Sequence, residues 1–161
     1  MLVFDASSII HAWDNYPPDL FPPMWDWLET EVANGNVAIP GVALDEVHKK
    51  VPDCGAWLVV ADISVLPLTS DVLAESVRIK HLLGIEEDQY HPKGVGENDI
   101  LIIATARLQG STLVSDEGRQ FKSPIFSPST KFRRSVSCGT WGVTCINFLH
   151  LIRTSGAVFK S

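Results

Sequence analysis

Short apolar runs that end on acids, separated by runs of helical length, restrict this chain more than any other feature. Four segments carry the pattern: Leu2-Val3-Phe4-Asp5, Val42-Ala43-Leu44-Asp45-Glu46, Glu97-Asn98-Asp99 ahead of Ile100-Leu101-Ile102-Ile103, and Leu113-Val114-Ser115-Asp116-Glu117. The first and the last read as strands that run straight into carboxylates. In an open parallel sheet the carboxyl ends of the strands form the ligand crevice at the point where strand order reverses. Carboxylates gathered there repel one another unless a cation lies between them, and a hard divalent ion with oxygen ligands is the usual solution. The pattern points to metal-assisted phosphoryl chemistry.

The rest of the chain alternates in the same way. Residues 1–4 read as a buried strand, and residues 7–13 as a helix that Ser7 or Ser8 is placed to cap. The run Tyr16-Pro17-Pro18-Asp19-Leu20-Phe21-Pro22-Pro23 interrupts that helix, because proline lacks the amide donor and clashes inside one. Helical spacing resumes over 24–32, a strand follows at 37–40, then a helix carrying Glu46 and another over 53–60. Residues 65–68 lead to Thr69-Ser70-Asp71, the cap of a helix through Leu83. Residues 86–96 are polar and glycine-rich, hence a loop. A helix over 99–108, a strand over 111–115, an irregular basic stretch over 118–139, a strand over 143–146 and a helix over 147–154 complete the order. Strands that alternate with helices imply right-handed crossovers and a central, mostly parallel sheet covered on both faces. The expected fold is a three-layer α/β/α arrangement in a single domain, residues 1–161.

Composition narrows the function classes. The 161 residues are 45% hydrophobic, enough for a real core, and the formal net charge of -6 argues against a general nucleic-acid coat. Cys54, Cys138 and Cys145 form no C-x-x-C pair, so buried thiols in a reducing compartment are expected rather than disulfides or zinc. No basic leader and no apolar run of about 20 residues is visible, and the expectation is a cytoplasmic protein without a membrane span.

Each acid alone has a plain role. Asp5 and Asp99 are placed to cap helices, Glu46 to be solvated, and Asp116 with Glu117 to form a turn before Gly118. Their ordered set is what points to a site. Gly94-Val95-Gly96 lacks the context of a dinucleotide fingerprint, and no phosphate-cradling P-loop motif occurs. Phe4-Asp5-Ala6-Ser7-Ser8 is similar to phosphatases with an aspartyl nucleophile, but Ser7 stands where their second acid belongs. Trp13, Trp25 and Trp27 are expected in packing rather than in base stacking.

The opening Leu2-Val3-Phe4-Asp5-Ala6-Ser7 resembles that of the PIN-domain nuclease superfamily. Ile39-Pro40-Gly41-Val42-Ala43-Leu44-Asp45-Glu46-Val47 is similar to that family's second motif, with the acid at Glu46. Asn98-Asp99-Ile100-Leu101-Ile102-Ile103-Ala104-Thr105-Ala106 resembles the third, with the acid at Asp99, and Leu113-Val114-Ser115-Asp116-Glu117 the fourth. The fourth acid of the family is usually Asp; Glu117 holds the matching position here and Asp116 the variable one. The segments around Ala12-Trp13, Tyr16 to Pro22 and Gly142 to Phe148 resemble a bacterial PIN-like subgroup. The resemblance implies a Mg2+- or Mn2+-dependent ribonuclease, of the kind found as VapC-like toxins neutralised by a cognate antitoxin. It implies Asp5 and Asp99 as metal ligands, with Glu46 and Asp116 or Glu117 binding a second ion or orienting water, and Ser7 and Ser115 steadying the carboxylates. Arg119, Lys122, Lys131, Arg133 and Arg134 would guide the RNA backbone, and a homodimer is compatible. A PIN fold that binds RNA or protein without catalysis, and a phosphotransfer enzyme with Asp5 as nucleophile, are the alternatives.

Overall fold

The computed structural model describes residues 1–85, 96–116 and 142–159. Five strands form one sheet: β1 (Leu2–Phe4), β2 (Val37–Pro40), β3 (Ser64–Leu66), β4 (Thr112–Val114) and β5 (Cys145–Ile146). Seven helices are described with them: α1 (Ala6–Asn15), α2 (Pro22–Ala33), α3 (Gly41–Lys50), α4 (Pro52–Val60), α5 (Ser70–Leu82), α6 (Glu97–Leu108) and α7 (Phe148–Ser155). The strand order is β3-β2-β1-β4-β5 and every pairing is parallel, with helices on both faces. The chain therefore winds one way from β1 through β2 to β3, and the other way through β4 and β5. Strand order reverses between β1 and β4, which pair in the register Phe4 to Val114.

Local chemistry explains most element ends. Pro22 and Pro52 open α2 and α4, where a missing amide donor costs nothing. The Thr69 hydroxyl accepts from the Val72 amide at the start of α5, and the Asn147 side chain from the His150 amide at the start of α7. Gly156 ends α7 in the left-handed region at φ 70°, which a residue with a Cβ adopts at a cost. One expectation needs correction. Neither Ser7 nor Ser8 caps α1, because the helix already begins at Ala6 and both serines lie in its first turn. The Ser8 hydroxyl instead donates to the Asp5 carbonyl at 2.8 Å.

The core is continuous across the sheet. Val3 and Phe4 are buried on opposite faces of β1, as a strand covered by helices on both sides requires. In α6 every residue from Ile100 to Ala106 is buried, so this helix is covered all round, with α5 and α3 among its neighbours. The Ile100-Leu101-Ile102-Ile103 run has strand-like composition, yet it is helical, because a twelve-residue segment opened by acids suits a buried helix. Trp25 is buried between Trp13 and Trp57, with ring centroids 5.2 and 4.8 Å away and edge-on geometry at both. Its indole N–H donates to the Tyr16 carbonyl at 2.7 Å, fixing the proline-rich turn between α1 and α2. The tryptophans are packing residues, and Trp57 joins them unforeseen.

The last strand is shorter than the expected 143–146: only Cys145 and Ile146 pair, although Val143 is buried and Thr144 accepts from the Leu113 amide at 2.8 Å. The expected loop at 86–96 lies outside the described residues except for Gly96, and the irregular stretch at 118–139 lies wholly outside them. No described helix is long and apolar enough to cross a membrane.

Candidate active site

β1 ends at Phe4, and the next residue, Asp5, occupies the N-cap position of α1 with extended backbone. Its amide donates to the Val114 carbonyl at 2.9 Å, which continues the β1–β4 pairing one residue past the strand. The side chain is wholly buried, yet it makes no capping bond to α1. Instead Oδ2 accepts two hydroxyls: a short bond from Ser7 Oγ and one of 2.9 Å from Ser115 Oγ. A hydroxyl has a single proton to give. With both protons directed at Asp5, the 3.2 Å approach of Ser7 Oγ to Ser115 Oγ follows from sharing an acceptor. A buried carboxylate is costly unless hydrogen-bonded. These donors offset that cost and fix the rotamer of Asp5 at the point where strand order reverses. Ser7 Oγ also accepts the Asp116 amide at 3.2 Å, tying the start of α1 to the end of β4.

The other described acids have partners of their own. Glu46 lies on α3, which starts directly where β2 ends, and its Oε1 accepts from Lys50 Nζ at 2.6 Å one turn on. Such half-exposed i,i+4 pairs contribute only about 0.3–0.5 kcal/mol, so the lysine holds Glu46 weakly. Asp99 lies in the first turn of α6, where the helix dipole favours negative charge. Its Oδ2 accepts the Gly96 amide at 2.9 Å, the reach-back half of a capping box. Asp116 Oδ2 accepts the Phe148 amide at 2.8 Å, so its carboxylate holds the first turn of α7. That contact spans 32 residues and no local pattern announces it.

The structure thus joins Asp5, Ser7, Ser115 and the backbone of Asp116 into one hydrogen-bonded set. Among the described residues no three of His, Cys, Asp and Glu stand close enough to hold a metal ion. The described acids do not by themselves complete a cation site. Glu117 and the basic candidates Arg119, Lys122, Lys131, Arg133 and Arg134 lie outside the described residues. A cavity of about 490 Å³ opens at the other rim of the sheet, beside the strand starts at Leu2, Val37 and Thr112, and none of the candidate acids lines it. Cys54 is buried, and burial, with Asp14 nearby, pushes its thiol up to about 12, an inert state rather than a nucleophile or a ligand.

Solved structures share this architecture. VapBC2 from Rickettsia felis, bound to a DNA fragment from its promoter, is similar at a TM-score of 0.56 and 16% identity, over 91% of this chain and 98% of that one. FitAB bound to an IR36 DNA fragment is similar at 0.52 and 17%, over 91% and 94%. At such identities the likeness establishes the fold, which is that of the PIN domain. Among curated proteins none matches the chain. The family model described as a domain of unknown function, DUF4411, matches residues 2–159, and the chain, folded as a PIN domain, belongs to that family.

Proposed function

We propose that the protein is a divalent-metal-dependent endoribonuclease, acting as the toxin of a toxin–antitoxin pair. The observation that carries the reading is Asp5: a wholly buried carboxylate, held by two hydroxyls, at the switch point of a parallel sheet. A carboxylate serving only to start α1 would bond the helix amides, and this one does not. Asp5 with Asp99 would hold Mg2+ or Mn2+, Glu117 is the sequence's candidate for completing the set, and Glu46, the acid of the second motif, would orient water. When bound, such an ion lowers the pKa of attacking water and offsets charge on the phosphorane. The chain's own part is orientation. Ser7 and Ser115 fix Asp5, and the N-terminus of α6 favours the charge of Asp99. The basic residues between Arg119 and Arg134 would bind the RNA backbone.

The toxin reading draws support from the fold shared with VapBC2 and FitAB, both of them two-component assemblies bound to DNA in the structures named above. The test is to express the chain alone in a bacterial host and to incubate the purified protein with RNA and Mn2+. Growth arrest and chelator-sensitive cleavage, both absent in Asp5→Asn, are expected. Binding of RNA without cleavage under any divalent ion would instead assign a non-catalytic PIN module.

A further inference from the structure

Asp116 sits beside the candidate ligands in sequence but engages in something else. Its Oδ2 accepts the amide of Phe148, the first residue of α7, at 2.8 Å. The Phe148 ring is fully buried and meets Phe4 edge-on, with centroids 6.2 Å apart. Phe4 is the residue before Asp5, and the Asp116 amide in turn donates to Ser7 Oγ, which donates to Asp5. The contacts close a ring: Asp5, Ser7, Asp116, Phe148, Phe4 and back to Asp5. One carboxylate therefore locks the C-terminal helix to the end of β4 and to the residue preceding the buried acid.

We propose that Asp116 is the anchor of α7 and a positioning residue for Asp5, not a direct ligand of the cation. The assignment deepens the nuclease reading, on which it rests for what Asp5 does. The anchor stands on the hydrogen bond and the Phe148 packing alone. The two roles make different demands on the side chain. A cap needs an acceptor oxygen, which an amide supplies; a cation ligand needs the charge. Asparagine at 116 keeps the first and removes the second.

The experiment uses the full chain with Asp116→Asn, Asp116→Ala and Asp5→Asn, reading Phe148 amide exchange and equilibrium Mn2+ binding. Asp116→Asn is expected to keep Phe148 protection and Mn2+ affinity within a few-fold of the parent protein. Asp116→Ala is expected to lose Phe148 protection by roughly 2- to 30-fold, the range for a lost cap. It is also expected to weaken Mn2+ binding, but by less than Ser115→Ala does, because the carboxylate reaches Asp5 only through Phe148 and Phe4 while the backbone amide keeps its bond to Ser7. The proposal is overturned if Asp116→Asn loses Mn2+ as fully as Asp5→Asn, or if Phe148 exchange is unchanged in Asp116→Ala. Should the alanine variant unfold, the asparagine variant still decides between cap and ligand. If the parent protein binds no Mn2+, the nuclease reading fails alone, and Phe148 exchange in the asparagine variant still supports the anchor or overturns it.

Discussion

The two rims of the sheet differ in kind. At the rim where strands end lies a tightly held acid: Asp5 is buried and its Oδ2 receives two hydroxyls. At the rim where strands begin lies a cavity of about 490 Å³, lined by Trp27, Asn36, Thr144 and His150 among others. There Asn36 donates to Glu31 at 2.8 Å, and the acid and amide satisfy each other at the surface. None of the candidate acids lines that cavity. A buried, hydrogen-bonded carboxylate lies at the other rim, at the position where order reversal opens a crevice in a parallel sheet. Space alone is a poor guide; a charged group kept buried at a defined rotamer is a better one.

The largest effect that could break this contrast is at Asp5. Asp5→Asn should lower RNA cleavage by more than the ~10- to 100-fold that an outer partner contributes, with the thermal transition retained. Substitutions at the opposite rim, His150→Ala or Thr144→Val, should leave the rate within about twofold of the parent by the same reasoning, since they touch no candidate ligand. Equal losses at both rims, measured on the same RNA, would erase the distinction.

Next in size are the two hydroxyls. Ser7→Ala and Ser115→Ala each remove one donor from Asp5 and should each cost about 10- to 100-fold in Mn2+ affinity. Ser8→Ala, whose hydroxyl bonds only to the Asp5 carbonyl, should change Mn2+ affinity little. A Ser8 effect as large as that of Ser115 would show that helix geometry matters, not carboxylate orientation.

Smaller again is the effect of the basic residues between β4 and β5. Replacing Lys131, Arg133 and Arg134 with Ala should flatten the salt dependence of RNA binding by about 2 in log–log slope, given ~0.7 per phosphate contact on a single strand. Mn2+ affinity in the absence of RNA should not move. An unchanged slope would assign these residues to a partner surface instead.

The smallest effect concerns Cys54. Its thiol is raised from 9.0 to about 12 in the folded protein, so the unfolded chain releases the proton first as pH rises. The stability it contributes is complete below pH 9.0 and is lost progressively as pH climbs toward 12. At pH 8, mapped thiol labelling should therefore reach half-buried Cys145 before Cys54.

Much of this was readable in the sequence, for identifiable reasons. Leu2-Val3-Phe4-Asp5 announces a strand and an acid because a doubly covered parallel strand is apolar throughout. The start of α5 was readable because Thr69 caps within three residues. Spacing alone could not measure the contacts set at long range. Ser115 bonds Asp5 across 110 positions, which a motif suggests but spacing cannot measure. The role of Asp116 depends on Phe148, placed by the packing of α7 and not by anything near Asp116. Ser7 and Ser8 do not cap α1 because the helix starts one residue earlier than its spacing suggests, at Ala6, with Asp5 at the N-cap position.

The most direct test of the central claim is an equilibrium Mn2+ titration of the full chain beside Asp5→Asn, with the fold of both verified by thermal unfolding. Saturable binding by the parent protein is expected, lost in the variant together with RNA cleavage. Mn2+ binding of equal affinity in a folded Asp5→Asn variant would contradict it, and would place any metal chemistry of this domain away from the end of β1.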